Sequence, residues 1–508
     1  MSFLADLLNS IGPLATLALL IVGWYTISAV YSWYRLRHIP GPFLASFSYL
    51  WLARTGWNGT QLEDFEAAGR KYGSLFRIGP DIILTDDPEL MKRMSSAKSK
   101  YWKSEWYSGS RFNPYHPSMF TIPSPSIHDE LKAKVIPGYS GRDTPNVEAD
   151  VDIQVNSFVN LIRRKYISMP GSGEYHPLDL ARAISFFTLD VISRVALGKE
   201  FGCLETDSDC YQFYEAMGKA MPMVILSSDV PWIRNIIYST IGLKLFGPKE
   251  TDPTGLGKAM SLSKEAVRKL FESDIGKEQT MLGSFARYNL PRTQIEVEAL
   301  FMFAAGSDTT AAAIRCTFLH LLSTPRVYYR LKDEVGLAVH DGRVSSPITN
   351  AEVKELPYLQ AVIFEGLRMR PVVTSLMPKE VPHGGDTIDG KFIPEGTSIG
   401  VNFWPLLRSK ARFGEDADLF RPERLTEADE ETRLEMQRQV ELAFGYGRWM
   451  CAGKPIAMME LNKIYFELFR HFDIQLVNPQ KPLTTYSHGL FIDKGLLVTV
   501  APDPIGRC

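Results

Sequence analysis

Cysteine is scarce in this chain and scattered: Cys203, Cys210, Cys316, Cys451 and Cys508 are the five among 508 residues. An odd, widely spaced set excludes a disulfide framework, and no Cys-x-x-Cys or His-x-x-x-His spacing suggests a zinc site. An excess of charge is also missing. Formal net charge is −2, with no basic block and no aromatic stripe among cations, so nucleic acid is not an expected partner. No strand–glycine–helix unit of the dinucleotide-binding kind appears, and neither does an internal repeat. The chain is 45% hydrophobic and 22% charged, enough to bury a large core, in what the cysteine usage marks as a reducing compartment.

Leu7 to Tyr34 contains no Asp, Glu, Lys, Arg or His. About 20 apolar residues cross a bilayer as a helix, so this stretch is long enough. Trp24, Tyr25, Tyr31, Trp33 and Tyr34 lie toward its end, and Arg35, Arg37 and His38 follow at once. The positive-inside rule then leaves the rest of the chain in the cytoplasm. A cleaved signal peptide is disfavoured by the lack of a basic n-region and by the length of the run. Residues 1–38 are expected to be a single-pass membrane anchor and 39–508 the globular domain. Ile39-Pro40-Gly41-Pro42 reads as a stiff hinge between them.

Tyr72 to Thr85 reads as a β-hairpin with Pro80-Asp81 in its turn, and Ile388 to Thr397 as another. From Pro88 to Arg292 the pattern is mainly helical, broken by loops; the one from Tyr107 to Ser126 is rich in aromatics and prolines. Thr293 and Glu296 are spaced as a capping box, and no proline follows until Pro325, which predicts a helix of about 30 residues, roughly 45 Å long. Near its middle stand Ala304-Ala305-Gly306-Ser307-Asp308-Thr309-Thr310. Small side chains there let a flat ring approach the backbone, though a close helix–helix contact selects the same residues. Such a contact does not account for an acid beside two hydroxyls.

Phe444-Gly445-Tyr446-Gly447-Arg448-Trp449-Met450-Cys451-Ala452-Gly453 surrounds one cysteine with glycines, aromatics and a cation. A helix with Pro455 in its first turn follows. Its unpaired N–H groups and dipole, with Arg448 and Lys454, favour thiolate over thiol, and thiolate is the metal-binding form. Alone, a loop cysteine in a Gly-rich turn would be the plainer reading.

These residues resemble the cysteine-ligand loop of the cytochrome P450 haem-thiolate monooxygenases, F-x-x-G-x-R-x-C-x-G. Phe444, Gly447, Cys451 and Gly453 are in register, while Trp449 stands where the family has a cation. The small-residue stretch matches the family's oxygen-activating helix. The resemblance implies a mainly α fold with small β-sheets and Cys451 as iron ligand. It implies haem contacts from Ala305 and Gly306, oxygen activation by Thr309 and proton delivery by Asp308. Glu365 and Arg368 match the family's Glu-x-x-Arg, and Arg424 completes its buried triad. Arg448, Lys132 and Lys379 fall where propionate contacts are expected, and Ser487, His488 and Gly489 are substrate contacts by position only.

The implied activity inserts one oxygen atom from O2 into a lipophilic small molecule, by hydroxylation or epoxidation. The cofactor is haem, with electrons from NADPH through a separate NADPH–cytochrome P450 reductase, at the endoplasmic reticulum membrane. Anchor and loop together resemble fungal members engaged in secondary metabolism. Two rivals stay open: rearrangement or dehydration without external electrons, and a non-catalytic haem protein of electron transfer.

Overall fold

A computed structural model describes residues 12–503 apart from 170–172, 174, 273, 274 and 276. Helices dominate, and the described strands form one five-stranded, one three-stranded and two two-stranded sheets. α1 (Pro13–Leu36) is 24 residues long, about 36 Å at 1.5 Å per residue, against roughly 30 Å of hydrocarbon. It is long and apolar enough to cross a membrane. Leu14, Trp24 and Ile27 on it are exposed. The expected start at Leu7 lies outside the described residues. Its last turns dock on the domain, where Arg77 Nη2 donates to the Ser32 carbonyl at 3.0 Å and Trp33 stacks on Phe47 at 6.4 Å.

The first hairpin forms as read: Leu75–Gly79 and Ile82–Thr85 pair antiparallel, and all nine residues are buried. Ile82–Thr85 runs parallel to Ser398–Val401, and Lys379–Glu380 and Trp102–Lys103 complete the sheet. The second hairpin is shorter than its pattern, pairing Asp386–Ile388 with Lys391–Ile393. Its register is set at the turn, where Asp389 and Gly390 both take positive φ.

The helices that build the site are α2 (Pro125–Tyr139), α3 (Leu180–Leu197), α4 (Phe213–Asp229), α5 (Pro231–Ile237), α6 (Thr240–Phe246), α7 (Arg292–Leu322), α8 (Pro357–Met369) and α9 (Lys454–His471). α7 is 31 residues long and crosses the domain. Its expected capping box does not form. Pro291 is the N-cap, with no side-chain cap bond, so the helix begins two residues early and Thr293 sits inside its first turn. Glu296 pairs instead with Arg292 at 3.1 Å. α7 packs against α3 and α9 in the main core, where Phe187, Ile192, Phe303, Phe318 and Tyr465 are buried.

Candidate functional site

Cys451 stands at the end of two short 3₁₀ turns, Leu442–Phe444 and Gly447–Trp449. Its N–H donates to the Phe444 carbonyl at 2.7 Å, which folds the loop back on itself. Gly447 has φ +54°, and a Cβ there would lie 2.5 Å from the Ser95 carbonyl oxygen, so only glycine fits. Cys451 is exposed. Burial of the surrounding loop raises its thiol pKa, while the N–H groups of Gly453 and Lys454 and the charges of Lys132 and Lys454 pull it down. A Cβ on Gly453 would meet Sγ at an ordinary 3.8 Å; this glycine acts through its N–H. Lys454 Nζ pairs with Glu441 at 2.7 Å and lies 5.9 Å from the Phe444 ring centroid.

Two lysines face one another across the sheet. Lys103 and Lys379 are Cα partners in register, and both are buried, at 4% and 6% exposure. Like charges in that position repel, and burial of each costs further. Lys103 Nζ donates to the Phe120 carbonyl at 2.6 Å, and Lys379 Nζ to Tyr107 Oη at 3.0 Å. Burial, then Lys379 and Lys132, drive the Lys103 amine well below its ordinary pKa; burial pushes Lys379 down to about 7. Both amines lie over the Trp449 ring, at 4.8 and 5.8 Å, and the buried Trp449 Nε1 has no hydrogen-bond partner.

Lys132, on α2, donates to the Arg448 and Met450 carbonyls at 2.7 and 3.0 Å. Glu298, whose charge acts on Lys103, is itself pushed up to about 7 by burial. It accepts from the Met119 N–H at 2.7 Å. The buried His128 ring lies 4.5 Å from Trp449. Arg448 is engaged elsewhere, by Asp129 at 3.0 Å and the Ala97 carbonyl at 2.8 Å.

On α7, Thr309 Oγ1 donates to the Ala305 carbonyl at 2.8 Å, which puts both residues on one face. Gly306 faces another way. A Cβ there would lie 2.9 Å from Ile192 Cγ1, so the space its missing side chain leaves is taken by α3. Burial raises the Asp308 carboxyl to about 6, against the pull of Arg315 and with a smaller push from Asp209. Tyr214 on α4 approaches from above, close enough for Asp308 and Ser307 to act on its hydroxyl. Aromatics from the 107–126 loop wall the same region, with Phe120 stacked on Phe301 of α7 at 5.2 Å.

Glu365, Arg368 and Arg424 meet in one buried cluster. Glu365 accepts from Arg368 Nε and Nη2, each at 2.8 Å, from Arg424 Nε at 3.0 Å and from the Arg421 N–H at 2.9 Å. Arg368 also donates to the carbonyls of Leu407, Ala417 and Leu419. The segment before the cysteine loop is thereby tied to α8. His488 has a structural setting: its ring bonds the Gly56 carbonyl at 2.9 Å, and the Gly489 N–H donates to Gln61 at 2.8 Å. Ser487 is buried and donates to Thr374 at 2.8 Å.

The sequence reading did not single out Lys103 or assign a donor role to Trp449. Trp449 carried a signal, as the departure from the family pattern; Lys103 carried none, because its pairing with Lys379 appears only in the sheet register.

Residues 38–500 match the family described as Cytochrome P450. The chain is 49% identical over 466 residues to cytochrome P450 monooxygenase aba1 of Botryotinia fuckeliana, covering 92% of each. It is 44% identical over 479 residues to cytochrome P450 monooxygenase ABA1 of Pyricularia oryzae, covering 93% of this chain and 94% of that one. Pisatin demethylase of Fusarium vanettenii is 31% identical over 463 residues, covering 89% and 86%. The residues around Cys451 suit the haem that such proteins carry. Among the described residues no cluster of three His, Cys, Asp or Glu side chains could hold a bare metal ion. A single sulfur therefore fits iron whose other ligands come from a macrocycle. Among the described residues, three amines without a salt-bridged carboxylate and an indole N–H without an acceptor suit an anionic edge such as haem propionates.

Proposed function

The chain belongs to the cytochrome P450 family and is a haem-dependent monooxygenase of secondary metabolism, and from that premise we propose that Cys451 is its iron ligand and that its substrate is a lipophilic small molecule. One observation carries the reading: an accessible cysteine that receives two backbone N–H groups, beside three lysine amines and the unpartnered Trp449 N–H. Haem, when bound, supplies oxygen activation and one-electron chemistry.

Everything else falls to the chain's own side chains. Cys451 as thiolate holds the iron, favoured by the Gly453 and Lys454 N–H groups. Lys103, Lys379, Lys132 and Trp449 Nε1 receive the propionates, with Arg448 supporting the loop through Asp129. The fork geometry of arginine is absent from this set, so recognition rests on point charges and one indole donor. Ala305 and Thr309, on one face of α7, would line the oxygen-binding side of the haem. With its carboxyl raised to about 6, Asp308 can both hold and release a proton near neutral pH, as a relay requires. Aromatics of the 107–126 loop and Phe301 exclude water from an apolar substrate, and Glu365, Arg368 and Arg424 fix the scaffold beneath.

We place the catalytic domain on the cytoplasmic face of the endoplasmic reticulum membrane, anchored by α1 and reduced by NADPH–cytochrome P450 reductase. A second exposed apolar group supports this: Phe43, Leu44, Leu50 and Trp57 near α1, with Trp232, Ile241 and Phe246 on α5 and α6. Such surface fits lipid headgroup depth.

Microsomes holding the chain and reductase, given NADPH, isotopically labelled O2 and candidate apolar metabolites, test the reading by mass spectrometry. One labelled oxygen in the product supports it. Turnover without NADPH, or unlabelled product, would instead favour rearrangement without external electrons.

A further inference from the structure

The last residue of α4 closes a polar seam between four segments. Asp229 is buried, and its two carboxylate oxygens go to different neighbours. Oδ1 accepts from Trp106 Nε1 at 2.6 Å, on the 3₁₀ turn Glu105–Ser110. Oδ2 accepts from Gln61 Nε2 at 2.9 Å, at the start of the helix Gln61–Tyr72. Gln61 Oε1 in turn accepts from the Gly489 N–H at 2.8 Å. Trp106 and Gln61 are buried with it. The seam is stitched a second time beside this chain of bonds: Ser227 Oγ donates to the Gly109 carbonyl at 2.9 Å, and the Ser110 and Ser228 hydroxyls meet at 2.8 Å.

The fit is close. A Cβ on Gly109 would lie 2.5 Å from the Ser227 carbonyl oxygen, and one on Gly489 would overlap Ile225 Cδ1 of α4. Asp229 stands two residues before Pro231, where α5 begins, and α5 and α6 carry the exposed Trp232, Ile241 and Phe246. On its other side the tied turn carries Tyr107, edge-on to Trp106 at 5.1 Å and to Phe120 at 5.2 Å, the ring that stacks on Phe301 of α7. The seam therefore joins the root of the apolar outer helices to the aromatic wall beside α7.

Resting on the reading of that wall as the side of a chamber for an apolar substrate, we propose that Asp229, Gln61 and Trp106 form a latch across the substrate's way in, which opens for entry and exit and closes between them.

A lipophilic molecule arriving from lipid meets α5 and α6 first, and passage inward beside the end of α4 requires α4 to part from the turn Glu105–Ser110. Asp229 is what resists that parting, because each N–H it loses leaves a buried carboxylate with one partner fewer. It holds both flanking segments, so its release frees the Trp106 turn and Gln61 in one step. Its two donors are neutral side chains. They hold a carboxylate less firmly than the paired guanidinium groups around Glu365, which suits a part that opens rather than one that stays shut. Asp229 is thus a positioning residue: it sets when the chamber is closed and takes no part in the reaction.

The test follows 1-phenylimidazole binding to full-length holoenzyme by stopped-flow absorbance, since an azole nitrogen on haem iron shifts the absorption band. It is run at pH 8, above the value of about 7 to which burial raises the Asp229 carboxyl. Asp229→Asn keeps the shape but sets an amide N–H against that of Gln61. Association and dissociation should both speed up roughly tenfold, with Kd and haem content unchanged, as a lowered barrier requires and a merely structural role does not. Adding Gln61→Glu restores the match, because the new carboxylate accepts from the introduced amide and from the Gly489 N–H, and both rates should return toward wild type. If Asp229→Asn yields no holoenzyme, Ser228→Ala removes one hydroxyl of the same seam and should raise both rates about threefold. Unchanged rates in the variant that folds, a change in Kd alone, or a double variant as fast as Asp229→Asn would overturn the latch. A wild type with no azole band would defeat the haem reading and the latch with it, whereas a normal band with unchanged rates defeats the latch alone.

Discussion

Glu365→Gln is the most demanding test of the scaffold beneath the cysteine loop. The carboxylate is fully buried and bridges Arg368 at 2.8 Å and Arg424 at 3.0 Å. The amide keeps the shape but offers one acceptor oxygen where three guanidinium N–H groups and the Arg421 N–H converge, and its NH2 points a donor at a donor. Arg424 retains Asp416 at 2.9 Å, whereas Arg368 is left with three carbonyls and the Met369 sulfur and no second carboxylate. Breaking a buried pair on one side costs about 3–5 kcal/mol. Unfolding entropy of roughly 2 cal/mol/K per residue over a domain this size makes each kcal/mol worth about 1 °C, so the midpoint should fall by about 3–5 °C. Scanning calorimetry of purified enzyme at one fixed scan rate measures this, with haem content read alongside. An exposed pair, Arg268 with Glu265 at 2.7 Å, is the control, and Glu265→Gln should leave the midpoint within about 1 °C. If Glu365→Gln moves no further than that control, the cluster is not holding the fold and the reasoning fails.

Thr309→Ala removes a hydroxyl whose recorded bond is to its own helix, so stability should change by about 1 kcal/mol or less; the fraction of NADPH electrons recovered in product should fall while the carbon monoxide spectrum stays the same. Unchanged coupling would remove Thr309 from the proton path. Trp449→Phe keeps an aromatic ring beside Lys103 and Lys379 and deletes the N–H together with part of the indole, so Trp449→His, which restores a ring N–H, is measured beside it. A charge-assisted hydrogen bond contributes about 1.5–3 kcal/mol, so haem transfer to an apo-globin acceptor should speed up roughly tenfold or more; an unchanged transfer rate would show that the indole donates to nothing. Asp308, raised to about 6 by burial, binds its proton more tightly folded than unfolded. Its stabilising contribution is complete below its unfolded pKa near 3.8 and is lost as pH rises through about 6. Wild type should therefore lose thermal stability relative to Asp308→Asn across that window, and a difference flat with pH contradicts the raised carboxyl.

What could be read without coordinates was local. The alternation of the first hairpin and the proline-free length of α7 each follow from a short-range pattern and formed as read, and the described part of the charge-free run is helical from Pro13. The capping box at Thr293 failed because Pro291 starts the helix sooner. Gly306 shows the limit of composition: a glycine in a small-residue stretch suits a ring or a helix neighbour equally, and Ile192 of α3 occupies the space. Glu365 and Arg368 could be paired from their spacing, but Arg424 came only from the family resemblance, because its approach depends on how two distant segments pack. Lys103 was invisible for the same reason, since only strand register sets it opposite Lys379.

The most direct measurement is the carbon monoxide difference spectrum of the reduced full-length protein, beside that of Cys451→Ser. The account predicts a thiolate-type band in the wild type that vanishes in the variant, with Glu365, Arg368 and Arg424 intact in both. A chain that binds no haem, or a variant that keeps the same band through another ligand, would contradict it.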